Sequence, residues 1–307
     1  MFTKSNFKLA VKIIGLVVAY LIIFIVNAGI TDPAAADSNA SPEAAASTLV
    51  LLLILAVVEI LVLSLVIRRS NASGLALIAF TAFSYYGVKT FQSQIEAWYF
   101  AEPLGIPTDM FPGVFFSPIP FTLMIVALAV LVLGKGKKSH TDQTQNERLK
   151  MSPRSWAGKL SLIAVVYIVL YFVFGYVIAW QNPELVNTYD SATNQAVFNI
   201  TRMIPFQFMR GILWGLLALP ILKYNKGSRL ETALVLGLML SLPLSIGLIF
   251  PNPFFPDASV RMSHFVEITS SNFIFGLLIT RIMLGKLTYR PIQETRTDAV
   301  VGSLSYE

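Results

Sequence analysis

The stretch LLLILAVVEILVLSLVIRR, Leu51 to Arg69, decides the fold. It is apolar apart from Glu59 and Ser64, and it ends on the basic pair Arg68-Arg69. A run of this length and character matches the ~20 residues that carry an α-helix across roughly 30 Å of hydrocarbon.

Working outward, the signature recurs along the chain. Segments near Ile13–Ile30, Thr48–Ile67, Leu75–Gln94, Pro118–Leu133, Leu160–Trp180, Pro205–Leu222, Thr232–Phe250 and Met262–Met283 qualify, which gives about eight crossings. The chain therefore reads as an all-α polytopic integral membrane protein, a bundle of about eight transmembrane helices. Residues 1–286 form one transmembrane helical domain, and 287–307 a cytoplasmic tail without apolar periodicity, expected to be disordered. Composition agrees: 55% of the 307 residues are hydrophobic, 13% are charged and the mean hydropathy is +0.67. A soluble domain carries about 25% charged residues.

Basic residues set the orientation. Lys4, Lys8 and Lys12 precede the first span, and Arg68 and Arg69 follow the second. Lys135 to Lys159 holds a basic cluster between spans 4 and 5; Lys223, Lys226 and Arg229 separate spans 6 and 7; Arg281, Lys286 and Arg290 follow span 8. The alternate loops, Thr31–Ser47, Ala101–Ser117 and Pro251–Asp257, contain no lysine or arginine. Positive loops stay on the cytoplasmic side, so both termini are expected there, in the plasma (cytoplasmic) membrane. A competing reading treats span 1, with Ala34-Ala35-Ala36 behind it, as a cleaved signal peptide, although its apolar run is long for that role.

The net charge of +6 is concentrated in these loops and forms no aromatic-interleaved stripe, so no nucleic-acid partner is expected. The absence of cysteine removes disulfides, thiolate metal sites and thiol nucleophiles. No residue pattern calls for a cofactor or assigns an oligomeric state; the partners implied are membrane lipids and a small-molecule or lipid ligand.

Function is sought among polar residues inside the spans, because a charge near the bilayer centre costs about 2.5–3.5 kcal/mol and needs a partner. Tyr85, Lys89, Gln92 and Glu96 follow one another at helical spacing, which predicts one polar face on span 3. The plainer account lets Lys89 snorkel outward and leaves Glu96 among headgroups. On span 6, Pro205 is expected in the first helical turn, followed on one face by Gln207, Arg210 and Trp214. Gly211 and Gly215 there permit close approach of another helix. Span 8 carries Arg261, then His264, Glu267, Ser271 and Asn272. Arg210 and Glu267 fall at similar depth, which predicts an ion pair between spans 6 and 8; the alternative pairs Arg210 with Glu96, and Glu267 with Arg261 or Lys89. Glu59 stands alone mid-span, with Tyr85 or Lys89 as its candidate partner. It is read either as a coupling site for a proton or cation or as a protonated acid bonding two helices.

These residues predict an extracytoplasmic polar cavity on spans 3, 6 and 8. Its expected ligand-binding residues are Lys89, Gln92, Glu96, Gln207, Arg210, Trp214, His264, Glu267 and Asn272, with Glu59 and Tyr85 as coupling candidates. Two cations and two carboxylates suggest binding or transport of a small zwitterionic or anionic solute or a lipid headgroup. Pro220, Pro243, Gly237 and Gly247 suggest the bent helices of a transporter. The alternatives are a structural or sensory protein whose polar cluster is internal ion pairing, and a membrane-embedded hydrolase or lipid-modifying enzyme using His264 and Glu267. No nucleophile elbow, HExxH or phosphate loop supports the enzyme. With only two histidines, a metal on His264 and Glu267 completed by Glu96 or Asp109 is a poor zinc site.

Overall fold

The Glu59 stretch lies in a helix from Pro42 to Arg69 (α2), long enough to place the acid well inside the bundle. The structure is a computed structural model that describes residues 4–31, 42–102, 106–137, 146–191, 200–251 and 255–287. The expected tail from residue 288 onward and His140 fall outside them.

The other helices are α1 (Lys4–Thr31), α3 (Gly74–Tyr86), α4 (Gln92–Tyr99), α5 (Phe111–Phe116), α6 (Pro118–Val132), α7 (Pro153–Val177), α8 (Pro183–Ser191), α9 (Ile200–Tyr224), α10 (Arg229–Ser245) and α11 (Ala258–Leu284). No strand occurs among the described residues beyond one bridge, Ser70 to Asn225. Among the described residues, seven helices are long and apolar enough to cross a membrane: Lys4–Ile30, Ala46–Arg69, Thr108–Val132, Pro153–Gln181, Ile200–Tyr224, Arg229–Ile249 and Ala258–Leu284. The protein is thus an all-helical membrane bundle.

The segment expected as span 3 is a continuous helical rod from Gly74 to Tyr99, but a π-turn at Gly87–Phe91 interrupts its α geometry. A π-type bond encloses one residue more than an α bond, so the two halves of the rod are rotated by about 100° from α phase. Gly87 opens the π-turn against α9. A Cβ there would lie 2.1 Å from a methyl of Leu217.

Glycine sets two other crossings. A Cβ on Gly211 would meet Ala164 Cα at 2.6 Å, so α9 and α7 pack with backbones nearly touching. Gly276 on α11 lies against Gly237 on α10, where its Cβ would be 2.6 Å from the Gly237 Cα. Pro205 and Pro220 lie inside α9, which starts five residues before the first and continues past the second. The expectation that Pro205 lies in the first helical turn is corrected: a full turn of helix precedes it.

The basic segments converge on one end. Lys226 N–H donates to the Arg69 carbonyl at 2.8 Å, Lys135 Nζ to Ser70 at 3.0 Å and Asn146 N–H to Lys223 at 3.0 Å. Arg148 and Lys159 donate to the carbonyls of Leu284 and Met283 at the last turn of α11, each at 3.0 Å. Cations there satisfy orphan carbonyls and the negative end of the helix dipole. Asp257 caps the other end of α11, accepting from the Ser259 and Val260 N–H groups.

Candidate functional site

The rotation at the π-turn divides the polar residues of the 74–99 rod into two assemblies. The expected single stripe of Tyr85, Lys89, Gln92 and Glu96 is therefore corrected: the first pair faces α1 and α2, the second faces α9.

The first assembly is closed. Glu59, fully buried, accepts through Oε2 from Lys89 Nζ at 2.6 Å, Tyr20 O–H at 2.6 Å and Tyr85 O–H. Lys89 Nζ also donates to the Tyr20 oxygen at 2.8 Å and lies 5.3 Å from the centre of the Phe121 ring. Glu59 Oε1 has no hydrogen-bond partner. Tyr85 and Lys89 are the partners that depth suggested for Glu59, whereas Tyr20 was not foreseen. The single tyrosine of the first span, midway along its apolar run, was its available signal.

The second assembly surrounds Arg210, which is only 2% exposed. Its Nη1 donates to Glu96 Oε1 at 2.6 Å and to Gln207 Oε1 at 2.9 Å, its Nη2 to the Gln92 main-chain carbonyl at 3.2 Å and its Nε to the Gln92 side chain at 3.4 Å. The guanidinium also sits 5.6 Å from the centre of the Tyr167 ring. The expected Arg210–Glu267 pair does not form. Glu267 instead bonds His264 Nδ1 at 2.9 Å on its own helix. Equal depth did not make the two charges neighbours, because α11 packs chiefly on α10 and α7 while Arg210 is turned toward the 74–99 rod. Arg261, the alternative partner for Glu267, donates to the carbonyls of Phe255 and Pro256.

Between Arg210 and Glu267 lies a chamber of about 340 Å³. Of the sequence-derived set, Glu96, Arg210, Trp214, His264, Glu267 and Asn272 line it. Gln92 and Gln207 hold Arg210 from behind and do not line it; Lys89 does not reach it, being committed to Glu59. Its aromatic wall, Tyr167, Tyr171, Phe100 and Phe255, was missed; the i, i+4 pair Tyr167 and Tyr171 was a readable sign on span 5. The Phe255 ring lies 4.9 Å from that of His264.

The charges lining the chamber are two carboxylates and one guanidinium, and four of the five N–H donors of the guanidinium are already used. With the His264 Nδ1–H donating to Glu267, Nε2 is an acceptor when the imidazole is neutral. That atom is buried and has no protein partner. Nearby serines are otherwise engaged: Ser263 accepts from Asn182 at 2.9 Å, while Ser270 and Ser271 donate to carbonyls of α11. His264 thus has no hydroxyl poised for activation. No group of three or more His, Asp or Glu side chains converges among the described residues, and Asp109 lies exposed on a 3-10 turn.

The chain matches no family model, no curated protein and no solved structure.

Proposed function

We propose that this chain crosses the plasma membrane about eight times, the 74–99 rod being the additional crossing, with both ends cytoplasmic. Its extracytoplasmic chamber binds a small zwitterionic or amine-bearing molecule, either a solute or a lipid headgroup. The convergence of lysines and arginines on the opposite end supports the orientation. The observation that carries the ligand reading is the buried His264 Nε2, which has no protein partner, beside the Glu267 carboxylate on the chamber wall. An ammonium or hydroxyl group would complete them. A purely anionic ligand fits less well, since Lys89 is absent and Arg210 is already paired.

Transport would require a path past Glu59. The chamber shares no lining residue with the Glu59 assembly, so binding is the reading preferred. A structural role is favoured for one half of the site only, because Arg210 already uses four of its five N–H donors within the protein.

Thermal melting of the purified protein tests the ligand. Phosphoethanolamine is expected to raise the melting temperature and glycerol phosphate to leave it unchanged, with Glu267→Gln losing the response. No shift with any amine-bearing compound, or an undiminished response in Glu267→Gln, rejects the reading. Orientation is tested in the cysteine-free background: a membrane-impermeant maleimide should label Asp109→Cys in intact cells and spare Lys137→Cys.

A further inference from the structure

We infer that the bound molecule is a long-chain amphiphile that enters sideways from the membrane, its head in the chamber just described and its chain in a second chamber beside it. This rests on the amine-binding reading above and adds the ligand class and the route.

The second chamber measures about 320 Å³ and shares Phe100, Tyr171, His264 and Glu267 with the first. The His264–Glu267 pair is therefore the boundary between two spaces. On one side of it stand Glu96, Arg210, Ser271 and Asn272. On the other stand Phe172, Tyr176, Trp180, Leu185 and Met203, with no further charged group. Apolar side chains line both spaces, but the charged ones end at the carboxylate, as the charge of an amphiphile ends at its headgroup. Each chamber falls within the range of about 300–1,000 Å³ typical of ligand pockets.

The second chamber points outward. Tyr176 and Trp180 on its rim are 70% and 39% exposed on the bundle surface. Amphipathic aromatics of this kind favour the headgroup layer. Overhead, α8 closes the space with Leu185, which is 1% exposed. A water-soluble zwitterion would gain nothing from an aromatic annex of this size, and water inside it would find few polar partners.

Gly175 lines the second chamber close to the His264–Glu267 boundary. A Cβ there would lie 3.6 Å from Glu267 Oε1 and 3.8 Å from Trp180 Cδ1, ordinary contact distances. Alanine therefore fits, whereas a larger side chain reaches into the second chamber beside Glu267 and Trp180.

The test uses the full chain in phosphatidylcholine nanodiscs with lysophosphatidylethanolamine carrying a photoactivatable diazirine in its chain. Saturable crosslinks are expected within residues 172–180, at and just beyond the end of α7, competed by unlabelled lysophosphatidylethanolamine and not by lysophosphatidylglycerol. Gly175→Leu should reduce this labelling at least tenfold while phosphoethanolamine still raises its melting temperature; Gly175→Ala should label like the wild type. If Gly175→Leu does not fold, Met203→Trp narrows the same chamber from its opposite wall. Absence of saturable labelling with phosphoethanolamine binding intact overturns the amphiphile and leaves the amine site standing. Loss of both responses removes both readings. Equal competition by the anionic lysolipid overturns the assigned head chemistry.

Discussion

One helical rod, 74–99, carries two ionic assemblies of opposite character. At Lys89 an acid, an ammonium and two phenols close upon each other with almost no polar atom to spare. About two turns further, Glu96 and Arg210 are equally well paired, yet their pair forms the wall of a chamber whose far side holds an unsatisfied histidine nitrogen. The difference shows that burial of charge inside a membrane bundle does not by itself mark a ligand site. What distinguishes the second assembly is empty volume beside polar atoms that lack partners. The first assembly joins α1, α2 and the rod and reads as a fastener.

The largest effect should come from opening the fastener. Lys89→Ala strands the Glu59 carboxylate in a low-dielectric interior, which costs about 3–5 kcal/mol for a broken buried pair. The melting temperature should fall by roughly 10 °C. Removing both charges with Glu59→Leu and Lys89→Met should recover part of that loss, since only the Tyr20 and Tyr85 hydroxyls then remain without the carboxylate. A double variant no better than Lys89→Ala would show that packing around the pair, and not charge, holds these helices.

A smaller loss is expected from Gly276→Ala, which touches neither assembly. The added methyl meets the α10 backbone, and such overpacking costs about 1–3 kcal/mol. Because α11 carries His264 and Glu267, its displacement should also weaken the phosphoethanolamine response. A stability loss with that response intact would show that the chamber tolerates movement of α11.

The reach of the sequence follows the same division. Apolar runs found seven of the long helices, since hydrocarbon thickness acts on each segment alone. Depth gave Glu59 its partners Tyr85 and Lys89, because a mid-span acid on a neighbouring helix leaves few candidates. Azimuth was not legible. Whether Arg210 turns toward Glu96 or Glu267 depends on the packing of α11 against α10, fixed by the distant glycines Gly237 and Gly276. The π-turn at Gly87–Phe91 has no sequence signature in hydropathy, yet it decides which polar residues share a face. Pro205 misled because a proline suits a first helical turn, while tertiary contacts can carry it further inside.

The chamber side of the comparison is sharpened by Glu267→Gln. Replacing one acceptor oxygen beside an open volume should change stability by about 1 kcal/mol or less, against the several lost at Lys89. The ligand response should nevertheless disappear, corresponding to at least a tenfold weaker affinity, or about 1.4 kcal/mol. A variant that loses stability on the scale of Lys89→Ala would place Glu267 among the fasteners and remove the contrast between the assemblies.

The smallest effect concerns the entrance to α11, where Asp257 is fully solvent-exposed. Its Oδ1 accepts from the Ser259 hydroxyl at 2.6 Å and from the Ser259 and Val260 N–H groups at 2.7 and 3.1 Å. The Ser259 hydroxyl first, and then the two backbone donors, hold its carboxyl below the ordinary value of about 3.9. A depressed folded-state value means that the ionised cap stabilises the helix above the unfolded-state value and loses that contribution as pH falls through the folded one. The difference in melting temperature between wild type and Asp257→Ala should therefore be constant from neutral pH down to about pH 5 and shrink below about pH 4. A difference that persists unchanged at low pH would mean that the cap acts through its shape and not its charge. In either case the effect lies at the mouth of the chamber helix, so it reports how firmly α11 is seated without disturbing the His264–Glu267 boundary itself.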